Sequence, residues 1–248
     1  MKGGSHPYRV VTLDSPYETW HSLRTRTLFA DLVDMKLRGY QDKYFPGVLP
    51  LDATDFVGTH HLICEESPRG FRPLMGFRSM TVERAAYHRL TFPALALAQA
   101  CGSKDHLLAV EKIVKTAGAH GRRLSYESSW TMLPSVSRDP AVADELHKIL
   151  RAIKLLHLEA DLIDESLMGA ALRFKVPSLF TKLGYQPVTL EGSDLPSVGV
   201  PFMGNEQILL LHLQRFSPCA MSFADQYREL WNHRVLISST EDSFKIAA

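Results

Sequence analysis

The spacing of apolar positions changes several times along the chain, and each change marks an element. Ser15-Pro16-Tyr17-Glu18 combines a capping hydroxyl, a first-turn proline and a capping-box glutamate, which predicts a helix running to about residue 33. Tyr17, Trp20, Leu28 and Leu32 share one face of that helix, and Arg24 projects from the middle of it. From residue 51 the period falls to two. Residues 59–64 and 74–80 read as strands of a hairpin around Glu66-Ser67-Pro68-Arg69-Gly70. Helical spacing returns over 93–101 and 103–117, the second with Leu107, Leu108, Val110 and Ile113 as its apolar set and Gly118 and Gly121 at its end. Residues 124–132 alternate, with Leu124, Tyr126, Ser128, Trp130 and Met132 on one side and Ser125, Glu127, Ser129 and Thr131 on the other. Asp139-Pro140 then caps an amphipathic helix marked by Val142, Leu146, Ile149 and Ile153. Beyond it, 159–167 predicts a strand, 168–182 a helix closed by Gly184, and 185–190 and 207–213 two further strands. A last helix is expected from Ser222, with Asp225 as capping partner and Phe223, Tyr227, Leu230 and Trp231 buried. Strands mixed with helices define an α+β or α/β layout.

Composition narrows the setting. With 45% hydrophobic residues and no linker or repeat, the 248 residues are expected to form a single domain, its core at about 15–213 and 214–248 a helical extension. Lys and Arg number 28 against 27 Asp and Glu, so the net charge of +1 excludes a nucleic-acid sponge. Cys64, Cys101 and Cys219 are scattered and form no CxxC, which suits a reducing compartment without disulfides. No signal-like apolar stretch opens the chain and no run reaches the roughly 18 residues of a membrane span, so a cytoplasmic location is expected.

Candidate chemistry divides between functional and structural readings. Glu127, mid-strand among hydroxyls, suits a general base or a plain sheet carboxylate. Asp52 and Asp55 could hold an ammonium group or cap a turn. Arg78 could bind a carboxylate or pair with Glu127 or Asp55. Arg24 on an apolar face needs an anion, either Asp52, Asp55 or a substrate carboxylate. His60 and His61 alternate to opposite faces and no HExxH follows, so no metal site is expected. No GxSxG or cysteine nucleophile motif is present.

The order helix, antiparallel strands, then strand–loop–helix–strand–helix–strand resembles the GNAT superfamily of N-acyltransferases. Arg138-Asp139-Pro140-Ala141-Val142-Ala143 resembles that superfamily's pyrophosphate loop, R/Q-x-x-G-x-G/A, with Ala141 where glycine is usual; an ordinary Asp-Pro helix start is the alternative. Phe180-Thr181-Lys182-Leu183-Gly184-Tyr185 resembles its F-Y-x-x-x-G-F ending, with Thr181 in place of the tyrosine that protonates the leaving thiolate. The first half is similar to the branch of acyl-homoserine-lactone (autoinducer) synthases and long-chain N-acyl amino acid synthases. Arg24 and Phe29 fit the N-terminal helix of that branch, Asp52 and Asp55 its D-x-x-D, His61-Leu62-Ile63 the following strand, and Gly76-Phe77-Arg78 its G-x-R. Glu127-Ser128-Ser129 fits its E-x-S-R with Trp130 where arginine is usual.

The resemblance implies an α+β fold whose central mixed, mostly antiparallel sheet, flanked by helices, splays around an acyl-donor cleft. It implies a transferase that moves an acyl group from acyl-CoA or an acyl carrier protein, as acyl-phosphopantetheine, to a small amine such as an amino acid, with no permanently bound cofactor. Glu127 would be catalytic. Met132, Leu133, Arg138, Asp139, Ala141, Val142 and Ala143 would bind the donor, and Arg24, Phe29, Asp52, Asp55 and Arg78 the acceptor. Lys112, Lys115, Arg122 and Arg123 form a basic stretch that an acidic carrier protein would welcome or that is simply a solvated face. The rivals are an acetyl-CoA-dependent small-amine acetyltransferase and a non-catalytic acyl-binding module.

Overall fold

The computed structural model describes residues 6–44 and 48–239. The first five residues and the last nine, on which the expectations of a missing leader and a C-terminal extension partly fall, lie outside it. The chain opens with β1 (Arg9–Asp14), whose Val10, Val11 and Leu13 are fully buried. This strand escapes a period-two search because both its faces are covered, which makes it a continuous apolar run.

The first helix, α1, is Leu23–Lys43 and not a helix beginning at Ser15. Ser15 has φ 42°, in the left-handed region, and its N–H donates to Gly58 O while Tyr17 N–H donates to Phe56 O. Those tertiary bonds hold 15–18 against the α2 segment (Thr54–Val57) and leave Tyr17 and Trp20 outside the helix, partly exposed. The buried stripe of α1 is Thr25, Leu28, Phe29, Leu32, Met35, Lys36 and Gly39.

β2 (Thr59–Ser67) and β3 (Gly70–Thr81) form the expected hairpin, followed by α3 (Val82–Tyr87), α4 (Pro93–Ala100) and α5 (Lys104–Ala119). Ser103 caps α5, whose buried residues are His106, Ala109, Val110 and Ala117; Leu108 points to solvent. β4 (Leu124–Met132) leads through α6 (Pro134–Ser137) to α7 (Pro140–Ala160), capped by Asp139.

Past α7 the structure departs from the sequence pattern. The next strand, β5, is Glu165–Ala171 and takes in Met168–Ala171, which the sequence assigns to a helix; the helical part of that stretch is a 3-10 turn at Leu172–Phe174 and α8 (Val176–Thr181). β5 is sandwiched between two strands and buried on both faces, so its composition does not alternate. Four short strands follow, β6 (Gln186–Pro187), β7 (Thr189–Leu190), β8 (Ser193–Asp194) and β9 (Val198–Val200), then β10 (Glu206–Leu213). The final helix is α9 (Pro218–Asp225), starting four residues before Ser222, with a separate α10 (Arg228–Asn232) that buries Trp231. β11 (Val235–Ile237) closes the described chain.

The main sheet runs β11-β1-β2-β3-β4-β5-β10-β6, with β9 also paired to β10. Only β1–β11 and β4–β5 are parallel. The sheet thus extends beyond 15–213 at both ends, through β1 and β11. His60 packs near Phe29 and Asp55, on the face covered by α1 and α2, whereas His61 packs against His157 and Trp231, on the face covered by α7 and α10. Among the described residues no helix is long and apolar enough to cross a membrane.

Candidate active site

The parallel β4–β5 ladder is short. It pairs Leu124 with Glu165, Ser125 with Ser166, Tyr126 with Leu167 and Glu127 with Met168, and then stops although both strands continue. The cause lies in β4. Opposite Phe77 of β3, two residues, Ser129 and Trp130, occupy the space of one, and Ser129 takes a left-handed φ of 56°. The bulge bends β4 away from β5 and interrupts the alternation read from sequence. Ser129 turns to α1, where Lys36 Nζ donates to its Oγ at 3.2 Å, so it does not share Glu127's surroundings. Trp130 turns to the α7 face, edge-on to Phe180 at 5.0 Å. Gly39 lets α1 lie against this segment: a Cβ there would come within 2.5 Å of Thr131 Cγ2 and 2.9 Å of Met132 O.

At the apex of the parting strands, Glu127 is buried. Its Oε1 accepts hydrogen bonds from Ser79 (3.0 Å) and Ser125 (2.7 Å), and its Oε2 has no hydrogen-bond partner. Lys154 of α7 places Nζ 3.6 Å from that oxygen, beneath the rings of Phe180 and Tyr185. Burial pulls the Lys154 amine down to about 8, against the upward pull of Glu127.

Across the sheet, a second buried cluster has Asp55 at its centre. Lys36 Nζ donates to Asp55 Oδ1 at 2.5 Å and Arg78 Nη1 lies 2.9 Å from Oδ2. Arg78 also reaches both oxygens of Asp52, at 3.0 and 3.4 Å, and Asp52 Oδ1 accepts from Thr54 N–H. His60 donates from Nε2 to Asp55 O at 2.7 Å. Burial holds Lys36 below its usual value, and burial likewise pushes His60 down to about 4. Arg78 therefore pairs with Asp55 and Asp52, not with Glu127. Asp55 is fully buried with both oxygens engaged, so it is closed to an incoming ammonium.

Arg24 lies elsewhere, with its guanidinium over the Phe71 ring near the β2–β3 turn. Phe29 belongs to an aromatic stack with Trp20 and Phe56 beside His60. The proposed phosphate loop is closed on itself: Asp139 Oδ1 accepts from Ala141 N–H (3.0 Å) and Val142 N–H (3.2 Å), and Ala143 N–H donates to Asp139 O. The amides that would meet a phosphate are occupied by a carboxylate, so this helix start is the ordinary Asp-Pro cap. Met132 ends β4 opposite Met75 of β3, and Leu133, just beyond it, donates its N–H to Leu74 O. Thr181 uses its hydroxyl on Pro177 O, whereas the Tyr185 hydroxyl is buried and donates to Ser166. The basic stretch stands where β4 and β5 are still paired, with Arg122 on Glu165 and Arg123 on Asp161 O.

Lys36, Ser79 and Lys154 are not singled out by the sequence reading, and Ser129, expected beside Glu127 with Ser125, lies on the α1 side instead. A lysine on a buried helical stripe, the sign that drew attention to Arg24, also marks Lys36 and Lys154.

No protein-family model matches the chain, and no curated protein matches it in sequence. Solved structures do match. A CoA-dependent acyl-homoserine lactone synthase, BjaI, with MTA superposes at a TM-score of 0.51 with 12% identity, over 90% of this chain and 89% of that one. The same synthase with SAM and isopentyl-CoA gives 0.50 and 13% over the same shares. FeeM, an N-acyl amino acid synthase from uncultured soil microbes, gives 0.47 and 10%, over 84% of this chain and 90% of that one. The chain has a GNAT-like fold, the one it shares with that acyl-homoserine lactone synthase.

Proposed function

We propose that the chain is an N-acyltransferase that moves an acyl group from a pantetheine thioester to the amine of a small polar acceptor such as an amino acid. The parting of β4 from β5 just beyond the Glu127–Met168 pair carries this reading. It leaves one edge of the β4 backbone over 128–132 free to pair with the amides of a pantetheine arm and directs the thioester to the apex beside Glu127. The acceptor approaches on the α7 side of the sheet, where Glu127 lies. Its nitrogen lone pair attacks the thioester carbonyl, the C–N bond forms, and the C–S bond breaks with its electron pair leaving on the thiolate. The nitrogen's proton passes to Glu127, directly or through one water. Thr181 offers no acid for the thiolate, which takes its proton from solvent.

The donor is acyl-CoA or acyl carrier protein. BjaI with isopentyl-CoA supports the first, and the Asp139 cap favours the second, because a carrier protein needs no pyrophosphate grip at the start of α7. Incubating the chain with octanoyl-CoA or octanoyl carrier protein and a mixture of amino acids, with mass spectrometry of the products, tests the reading. An N-acyl amino acid is expected, formed faster from the carrier protein. Bound donor without product from either thioester would make the chain an acyl-binding module.

Asp139→Gly should cost only a few tenths of a kcal/mol in helix capping, since glycine caps nearly as well, while freeing the Ala141 and Val142 amides. The expected outcome is tighter acyl-CoA binding by isothermal titration, by roughly five- to thirtyfold for one or two charge-assisted hydrogen bonds, with little change for the carrier-protein donor. Unchanged CoA affinity would show that its phosphates lie away from α7.

A further inference from the structure

Glu127 and Lys154 form a buried pair in which one carboxylate oxygen is doubly hydrogen-bonded and the other is not. The groups packed around them come from five places. β3 supplies Ser79 and β4 Ser125; β5 supplies Met168, whose Sδ is 3.2 Å from Nζ; α8 supplies Phe180; and the segment after it supplies Tyr185. Of these neighbours only Tyr185 titrates, and burial keeps it protonated well above its ordinary value. The ammonium and the carboxylate are thus each other's charge partners.

Burial disfavours the charged form of a carboxyl group unless a cation lies near it. A cation in direct hydrogen-bonding contact would prevent that but would also consume the lone pair a base needs. At 3.6 Å, Lys154 stands beyond ordinary hydrogen-bond reach yet well within Coulomb range. The aromatic faces hold it there: Nζ is 4.6 Å from the Phe180 centroid and 4.8 Å from that of Tyr185.

Resting on the reading of Glu127 as the base, we infer that Lys154 is a positioning residue for Glu127, its caged ammonium keeping the carboxylate ionised while leaving Oε2 free for the acceptor's proton. The lysine itself touches no substrate. Its amine is held down to about 8 by burial, so the cation is lost above that value.

The test needs no substrate for its first part. In protein carrying ¹³C at lysine Cε, one resonance should titrate near pH 8, and Glu127→Gln should lower that midpoint by a unit or more, a tenfold change in proton affinity. In Lys154→Met, whose apolar side chain suits the Met168 and Phe180 surroundings, the Glu127 carboxyl midpoint, read by infrared, should rise by a unit or more. The acid limb of kcat/KM against pH should rise with it. Midpoints unchanged in both variants would overturn the inference. A shifted carboxyl midpoint with an unmoved acid limb would show that the electrostatic link exists but that Glu127 is not the base, which overturns the catalytic role of both residues. If Lys154→Met does not fold, the lysine titration in wild type and Glu127→Gln decides alone.

Discussion

Glu127→Gln should fold as the wild-type chain does and turn over roughly 10²–10⁴ times more slowly. Glutamine keeps the shape of the side chain and can still accept from Ser79 and Ser125 through its carbonyl, so the packing at the apex survives. What disappears is the basic oxygen. Because Glu127 is buried at the point where donor and acceptor would meet, the loss should fall on kcat, with the acceptor's KM little changed. Steady-state kinetics on the variant, with circular dichroism to confirm the fold, makes the measurement. Undiminished turnover would return Glu127 to a structural role in a buried ion pair.

The largest loss of stability is expected at Asp55. Removing it as Asp55→Ala leaves Lys36 and Arg78 facing each other in the interior without their shared anion, a loss of about 3–5 kcal/mol by analogy with broken buried pairs. Asp52→Ala, at a largely exposed side chain, should cost far less. Urea titration of the two variants against wild type separates them; equal midpoints would mean that the cluster contributes no stability. The same cluster sets a pH dependence. His60 is held down to about 4, so the unfolded chain binds its proton more readily. Its contribution is complete above about 6.5 and lost as the pH falls towards 4. Burial alone would raise the Asp55 carboxyl, but Arg78 and Lys36 outweigh it and hold it below its ordinary value. Its contribution is therefore present above about pH 4 and disappears at still lower pH. Stability should fall in two stages on acidification, and Asp55→Ala should lose the second.

Much of the fold was legible because amphipathic elements advertise themselves. The β2–β3 hairpin is marked by its turn residues 66–70, and α4, α5 and α7 each bury one face or follow a recognisable cap, which their spacing shows. β1 and β5 were not, since strands covered on both faces carry no period. The misplaced start of α1 has a different cause: Ser15-Pro16-Tyr17-Glu18 has the local chemistry of a cap, but hydrogen bonds to Gly58 and Phe56 take the segment into turns. At the site, Glu127, Asp52, Asp55 and Arg78 could be singled out by type and order. Their grouping could not, because the bulge at Ser129 decides which side chains face which helix, and a left-handed serine has no sequence signature. The alanines of 141–143 and the preceding arginine looked like an anion cradle, yet the same six residues contained the acid that fills it.

The parallel pairing of β11 with β1 also guards the solubility of the chain. Val11, Thr12 and Leu13 meet Val235, Leu236 and Ile237, so the outermost full-length strand of the sheet is covered by three residues from the far end of the chain. Without that cover, β1 would present a row of unpaired amides and carbonyls beside fully buried valines and leucine, an adhesive rim on which strands from other molecules could assemble. A chain cut before residue 235 would keep its candidate active site and gain a tendency to aggregate, so the last short strand protects the molecule from its own copies.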